Sequence, residues 1–495
     1  MPDTHVASRR LSFGTKLVYG FGNVSTGVHL AIYALLLFFY NQVVGLSPGE
    51  VSVALAVALV VDAIWDPTVG QISDNLNTRW GRRHPLMYAS AIPIALTVYG
   101  LFNPPAASHA VKLIWLFSFV LASRLLLSLY EMPSAALAPE LATDYDQRTS
   151  LLSYRWIFLV AGSGTITILG FLWFFRSTPH YPNGQFNPAA WGPLALTGAS
   201  AMLLSILVSS LGTHRHIPTL HKPAARTPSL ARNLREIGAT LKNRNLCVAL
   251  IASLIAGLSY GLYGGLALYL DSFLWGMNGK GLAALNMANL VSVFFSALLA
   301  TWLSRQVGKK YAAVIMFFAC LAAIQVPILL RLLGLAPANG SPTLLPMLIA
   351  FRFAAGVLTN GGFIMMTSMI ADITEEVQLQ TGRRAEGLLM SAYSFITKAT
   401  TGVSTLLPAL VLALAHFPAK ALPGAVDPAI VRHMAWLYVP ITSTLSFLSI
   451  STWMLYRIDR KAHEANLAAV QAQALADAGV EAQGEGAVTS LRAAG

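Results

Sequence analysis

From near its start to about residue 457, the chain is a succession of apolar runs of about 20 or more residues separated by short polar stretches. A run of that length crosses a bilayer as a helix. Backbone N–H and C=O groups find no water in hydrocarbon, so only a helix or a closed barrel satisfies them internally. Charged residues make up 11% of the sequence and hydrophobic ones 55%. A soluble domain carries about 25% charged residues, so this chain lacks the polar surface to stay in water. The expected class is an all-α integral membrane protein. Met1 to Ser12 is polar and basic, and the apolar run that follows is too long for the core of a signal peptide, so the first span is expected to act as its own insertion signal.

Twelve spans are expected, at roughly 14–44, 50–74, 85–104, 112–139, 150–175, 191–212, 245–274, 281–304, 311–333, 344–371, 387–415 and 433–457, with boundaries good to a few residues. They divide into a six-helix bundle over 1–212, a cytoplasmic link over 213–243, a second six-helix bundle over 244–460 and a tail over 461–495. The link is rich in Pro and basic residues, and Ser229 to Leu241 suits a short amphipathic helix on the membrane surface. The Ala-rich tail is expected to be helical at first and then disordered. The halves echo one another. GQISDNLNTRWGRR follows span two and TWLSRQVGKK follows span eight; ELATDYDQRTSLLSYRW follows span four and ADITEEVQLQTGRRAEGLLMSAYSF follows span ten. Two related halves with a site between them is the logic of a secondary transporter.

The net charge of +12 is a topology signal. Arg9, Arg10, Lys16, Arg79, Arg82, Arg83, Arg305, Lys309, Lys310, the bases of the central link, Arg457, Arg460 and Lys461 all fall on one side in a twelve-span arrangement, and the opposite loops hold about one Lys or Arg each. Both termini are therefore expected to be cytoplasmic, and a nucleic-acid partner is not expected. Cys247 and Cys320 lie in apolar runs and read as small hydrophobes. No phosphate-binding loop, nucleophile elbow or HExxH motif stands in a supporting context, so neither an enzyme nor a resident cofactor is expected.

Charges inside the spans are costly and mark function by default. Asp62 and Asp66, in VVDAIWDPTVG, are four residues apart and share one helix face. Two acids of like charge need a cation or a proton between them. Glu131 lies in span four, Arg155 near the start of span five and Lys398 about three turns into span eleven. Three acids against two bases leave the set short of one positive charge, which sodium or a proton would supply; protonation of one acid at rest would balance it too. Ser128, three residues before Glu131, shares its face and offers a hydroxyl oxygen to a hard cation. Pro67 and Pro133 each follow an acid and free a carbonyl upstream. The blander readings are a structural Glu131–Arg155 ion pair, a helix-end cap at Asp66, a snorkelling Lys398, and packing roles for Tyr19, Tyr33, Tyr130, Trp156, Tyr263, Phe363 and Tyr393. Asp74, Arg79, Arg82 and Arg83, with Arg148, Arg383 and Arg384 of the echoing acid-to-Arg stretches, are expected to form a cytoplasmic gate or a brace between helices.

KLVYGFGNVSTG, YNQVVGLS, DAIWDPTVGQISDNLNTRWGRRHP, EMPSAALAPELATDYDQRTSLLSYR and MIADITEEVQLQTGRRAEG, running on to Lys398, resemble the glycoside–pentoside–hexuronide:cation symporters. This is the melibiose-permease-like branch of the major facilitator superfamily, and the resemblance keeps order and spacing from about Lys16 to Lys398. It implies the major facilitator fold, two pseudo-symmetric six-helix bundles, and cation-coupled import of a small polar solute, a sugar or glycoside first. It implies a coupling site at Asp62, Asp66, Ser128 and Lys398, with sodium a candidate at the two acids, and sugar-hydroxyl contacts at Glu131 and Arg155. Phe363 falls where that permease has a Trp lining the sugar pocket; Tyr19 and Tyr130 complete the expected solute site. The chain departs from the permease at Gly27 (a sugar-binding acid there), Thr26 (a lysine), Ala135 (a Trp) and Trp65 (an Asn supporting sodium), and the last departure favours a proton. Alternatives are a lysolipid carrier, another organic-solute transporter or exporter of the same fold, and a solute sensor that does not transport. The expected setting is a multi-pass cell membrane, the inner membrane if the source is bacterial, with the lipid bilayer and the solute as partners and a monomer as the working unit.

Overall fold

The computed structural model describes residues 11–142, 145–219, 243–381 and 400–457, and its long elements are helices. The first span is α1 (Phe13–Phe21) and α2 (Asn23–Phe38), broken at Gly22 and extended by a π-helical turn over Phe39–Val44. Then come α3 (Pro48–Asn75), α4 (His84–Leu101), α5 (His109–Leu141), α6 (Tyr145–Leu169) and α7 (Trp191–His214). The second half holds α8 (Arg244–Tyr269), α9 (Gly279–Leu332), α10 (Leu344–Thr381), α11 (Leu406–Leu414) and α12 (Pro428–Met454). Among the described residues nine stretches are long and apolar enough to cross a membrane. One of these, α9, is two helices joined at Gly308, whose φ of 82° only glycine adopts without strain. With α4 and the helical stretch 400–414, each of the twelve expected spans is helical where it is described. Ser229 to Leu241 and the tail lie outside the described residues.

Local sequence accounts for the ends. Ser47 accepts from Glu50 N–H, and the Glu50 carboxylate accepts from Ser47 N–H at 3.0 Å, a reciprocal cap with Pro48 in the first turn of α3. At 28 residues, α3 runs about 42 Å, longer than the roughly 30 Å hydrocarbon core. Its acids therefore sit well inside.

In the first half α2 packs on α6 and α7, α3 and α4 on α5, and α4 on α7. In the second, α9 packs on α10, and α8 and α9 on α12. The two sets meet where α11 lies on α3, α9 on α6 and α8 on α2. The α2–α6 contact is close because position 27 is glycine: a Cβ there would stand 2.1 Å from the Leu159 carbonyl oxygen. Gly162 answers it from α6, where a Cβ would come 2.8 Å from the Val24 carbonyl oxygen. Position 27 faces a neighbouring backbone, leaving no room for the acid carried by the resembling permease. Gly27→Ala is expected to destabilise the protein by about 1–3 kcal/mol through overpacking. Gly49→Ala, which meets nothing within 4 Å, is its control. Thermal unfolding of the purified variants separates the two.

The echoing turns have matching partners. Arg83 bonds Glu140 at 2.7 Å and approaches Asp74 at 3.3 Å, while Arg82 reaches Glu140 at 3.0 Å. In the second half Lys309 holds both oxygens of Asp372, at 2.7 and 2.8 Å. A basic turn after one span thus grips an acid near the end of the span two further on, once in each half. At the opposite end the halves are bonded to each other. Gln42 donates to the Pro418 carbonyl and accepts from Ala421 N–H, at 3.2 and 2.9 Å. Tyr269 donates to Asn41, Gln185 to Ser272, and Phe186 meets Phe273 edge to face. Among the described residues, then, the halves are locked together at the end away from the basic turns.

Candidate functional site

Asp62 and Asp66 are both buried in the middle of α3, far from either end, which removes the cap reading of Asp66. Ser128 of α5 donates to Asp62 Oδ1 at 2.7 Å. The other carboxylate oxygen, Oδ2, lies 4.0 Å from Nη1 of Arg124, one turn before Ser128 on the same face of α5. The Arg124 guanidinium also stacks over Tyr33 of α2, 4.0 Å from the ring centre. Pro67 has no N–H, so the carbonyl of Ala63, between the two acids, loses its helical partner. Trp65 turns towards α5 and gives its indole N–H to the Leu125 carbonyl at 3.1 Å.

Arg124 corrects the charge count. With it, three acids (Asp62, Asp66, Glu131) stand against three bases (Arg124, Arg155, Lys398), and the shortfall read from sequence disappears. The signal was present: an Arg in the apolar stretch LASRLLLSLYE, one turn from Ser128. Lys398, Arg383 and Arg384 lie outside the described residues.

The second cluster starts one turn further along α5. Glu131 is half-buried, with Arg155, Asp62 and Arg124 as the charges acting on it. It forms no ion pair with Arg155 within 4.0 Å, so the structural-pair reading does not hold. Arg155 of α6 instead donates to the Tyr19 hydroxyl at 2.9 Å, and Tyr19 donates to the Ser134 carbonyl at 2.9 Å. Arg155, Tyr19 and Tyr130 are all buried. The Tyr130 hydroxyl lies against the break in the first span: a Cβ on Gly22 would stand 1.8 Å from it. Phe363 is elsewhere, on α10, edge to face with Tyr260 and Phe317.

Of the expected gate residues, Asp74, Arg82 and Arg83 form the first-half brace on Glu140, which the sequence reading had not singled out. Arg79 lies over Trp80 and Arg148 is exposed. A further intramembrane pair stands in the second half. Arg352 of α10 holds both oxygens of Asp271 at 2.7 Å and donates to the Tyr263 hydroxyl at 2.8 Å. Two lone charges in separate apolar runs were the available signal.

The arrangement is one of binding and charge exchange: buried acids, a tethered guanidinium and hydroxyls on three packed helices. Among the described residues no group of three or more metal-ligating side chains occurs. The "Isoprimeverose transporter" of Lactiplantibacillus pentosus is 24% identical over 426 residues, covering 86% of this chain and 84% of its own length. The "Sodium-dependent lysophosphatidylcholine symporter 1-A" of Danio rerio is 24% identical over 496 residues, covering 94% and 90%. In fold, the solved structure of the nucleoside transporter NupG (D323A mutant) superposes with a TM-score of 0.60 at 12% identity, over 89% of this chain and 98% of that one. The family described as "MFS/sugar transport protein" matches residues 18–460. That match spans most of the chain, and with the helical bundle and the melibiose-permease-like motifs it carries the conclusion: this multi-pass membrane protein belongs to the MFS/sugar transport protein family.

Proposed function

We propose that the protein imports a sugar or glycoside together with a proton, by alternating access of two helical bundles. The observation that supports this reading most directly is the polar face of α5. Arg124 and Ser128 on it meet Asp62, and Glu131, one turn on, acts with Arg155. One helix face thus links a titratable site to a hydroxyl-binding site, so filling either changes the field at the other. Coupling of this kind is reciprocal: solute raises cation affinity by the factor by which the cation raises solute affinity. The lock at Gln42, Asn41 and Tyr269 fits a state closed at one end, and the basic turns, read as cytoplasmic, assign the other end to the cell interior. One chain contains both clusters and is the working unit. In a bacterium it sits in the inner membrane.

The choice of proton over sodium rests on Arg124. A sodium ion needs several oxygen ligands, and within reach of Asp62 it would stand a few ångströms from a fixed guanidinium. Two like charges about 4 Å apart repel by about 4 kcal/mol at an effective dielectric constant of 20. A proton carried by Asp66 leaves the Asp62–Arg124 attraction in place and needs one oxygen, where sodium needs several. Trp65 supplies a bonded N–H where an oxygen ligand would help a metal. Arg124→Gln is therefore expected to create sodium-stimulated uptake that the wild type lacks. Uptake in the variant that stays indifferent to sodium removes Arg124 from ion selection. Counterflow in proteoliposomes across mono- and disaccharides, with a lysolipid as the contrary arm, tests the solute class: exchange of the lysolipid and of no sugar would overturn it.

A further inference from the structure

The second half carries a cavity that the α5 face does not use. It lies between α8, the later part of α9, α10 and α12, with about 80 Å³ of free space. A single water needs about 10–15 Å³ on that measure, so there is room for several waters or one six-membered ring. Among the rings that line it, Phe363 meets Tyr260 at 5.9 Å and Phe317 at 6.0 Å, both edge to face. Tyr260, 55% exposed, stands at the mouth.

Most hydroxyls in the cavity wall already have partners. Ser259 and Ser446 bond each other at 2.8 Å, and Ser449 donates to the Ala252 carbonyl at 2.9 Å. Gln325 does not fit that pattern. It is 5% exposed and lines the cavity, yet neither its amide oxygen nor its amide nitrogen has a hydrogen-bond partner. The Tyr438 hydroxyl, on a fully buried side chain in the same wall, is also without one. Buried polar groups are normally bonded, and an amide left with both ends open implies that something else completes it.

We infer that this cavity is a sugar-ring subsite in which the Gln325 amide takes a pair of neighbouring hydroxyls and Tyr438 a third. Among the described residues no charged side chain lines it, which suits a neutral ligand. An amide presents a donor and an acceptor side by side, which matches two adjacent hydroxyls that each donate and accept. The aromatic walls suit the apolar face of a pyranose. The inference rests on the proposed sugar reading and deepens it: the preferred solute is a glycoside with one ring in this half of the protein.

The test measures binding of mono- and disaccharides to purified full-length protein by intrinsic tryptophan fluorescence, in wild type, Gln325→Leu and Tyr438→Phe. Thermal unfolding is recorded without sugar. Gln325→Leu is expected to weaken disaccharide binding about tenfold or more and Tyr438→Phe by less, corresponding to the loss of about one to two hydrogen bonds. Unliganded Gln325→Leu is expected to unfold at the wild-type temperature or above, since an unbonded amide is removed. Wild-type affinity retained in both variants overturns the subsite and leaves the sugar reading standing. A wild type that binds no sugar overturns that reading and the ligand class with it. A fall in the unfolding temperature of Gln325→Leu with unchanged affinity makes Gln325 a structural residue.

Discussion

In proteoliposomes, Asp66→Asn is expected to exchange solute at close to wild-type rates and to accumulate none. Asn has the shape and charge of a protonated aspartate, so the variant is held permanently in the cation-loaded form. Exchange needs only that form to turn over, whereas accumulation requires the carboxyl to lose its proton on one side of the membrane. The wild type, moving one proton per solute, should concentrate solute about tenfold for each pH unit, because a tenfold ratio is about 1.4 kcal/mol. Asp62→Asn is expected to behave differently. Asp62 holds the Ser128 hydroxyl and faces Arg124, and neutralising it leaves that half-buried guanidinium without its opposite charge. A loss of stability of up to about 3 kcal/mol follows, seen as lower yield and an earlier thermal transition. Accumulation by Asp66→Asn at the wild-type ratio would show that its carboxyl does not carry the coupled proton.

The second large effect is expected at Arg155. Its guanidinium bonds the Tyr19 hydroxyl and has further donors to offer, with Glu131 nearby as acceptor. Together they provide donors and an acceptor for sugar hydroxyls. Hydrogen bonds to charged groups contribute about 1.5–3 kcal/mol, so Arg155→Gln should weaken solute binding by about 10- to 100-fold. Tyr19→Phe, which removes one bond from Arg155 and leaves the charge, should cost less. The readout is half-saturation in counterflow at fixed pH. An unchanged value for Arg155→Gln would make the Arg155–Tyr19 contact a packing feature of α1 and α6.

The parts legible in the sequence were those set by chemistry along one helix. Span positions follow from the bilayer, and the shared face of Asp62 and Asp66 follows from a four-residue spacing. The turn at Gly308 was marked by its basic residues and glycine. Contacts between helices were harder to read. Arg124 looks like one more base among leucines until α5 is rotated against α3, and only that packing brings it to Asp62. Asp271 and Arg352 are 81 positions apart, and nothing local pairs them. Gln42 and Asn41 fall in the last turn of the first expected span, and nothing local marks their partners on other elements, which bind the halves together. The empty amide of Gln325 has no signature in sequence, because burial without a partner is a property of the packed helices.

We propose a proton as the coupled ion at the α3 carboxylates. The direct measurement is sugar accumulation by the wild type in proteoliposomes carrying either a pH gradient without sodium or a sodium gradient at equal pH. The tethered charge of Arg124 predicts accumulation with the pH gradient and none with sodium alone. Accumulation driven by sodium at equal pH would contradict it.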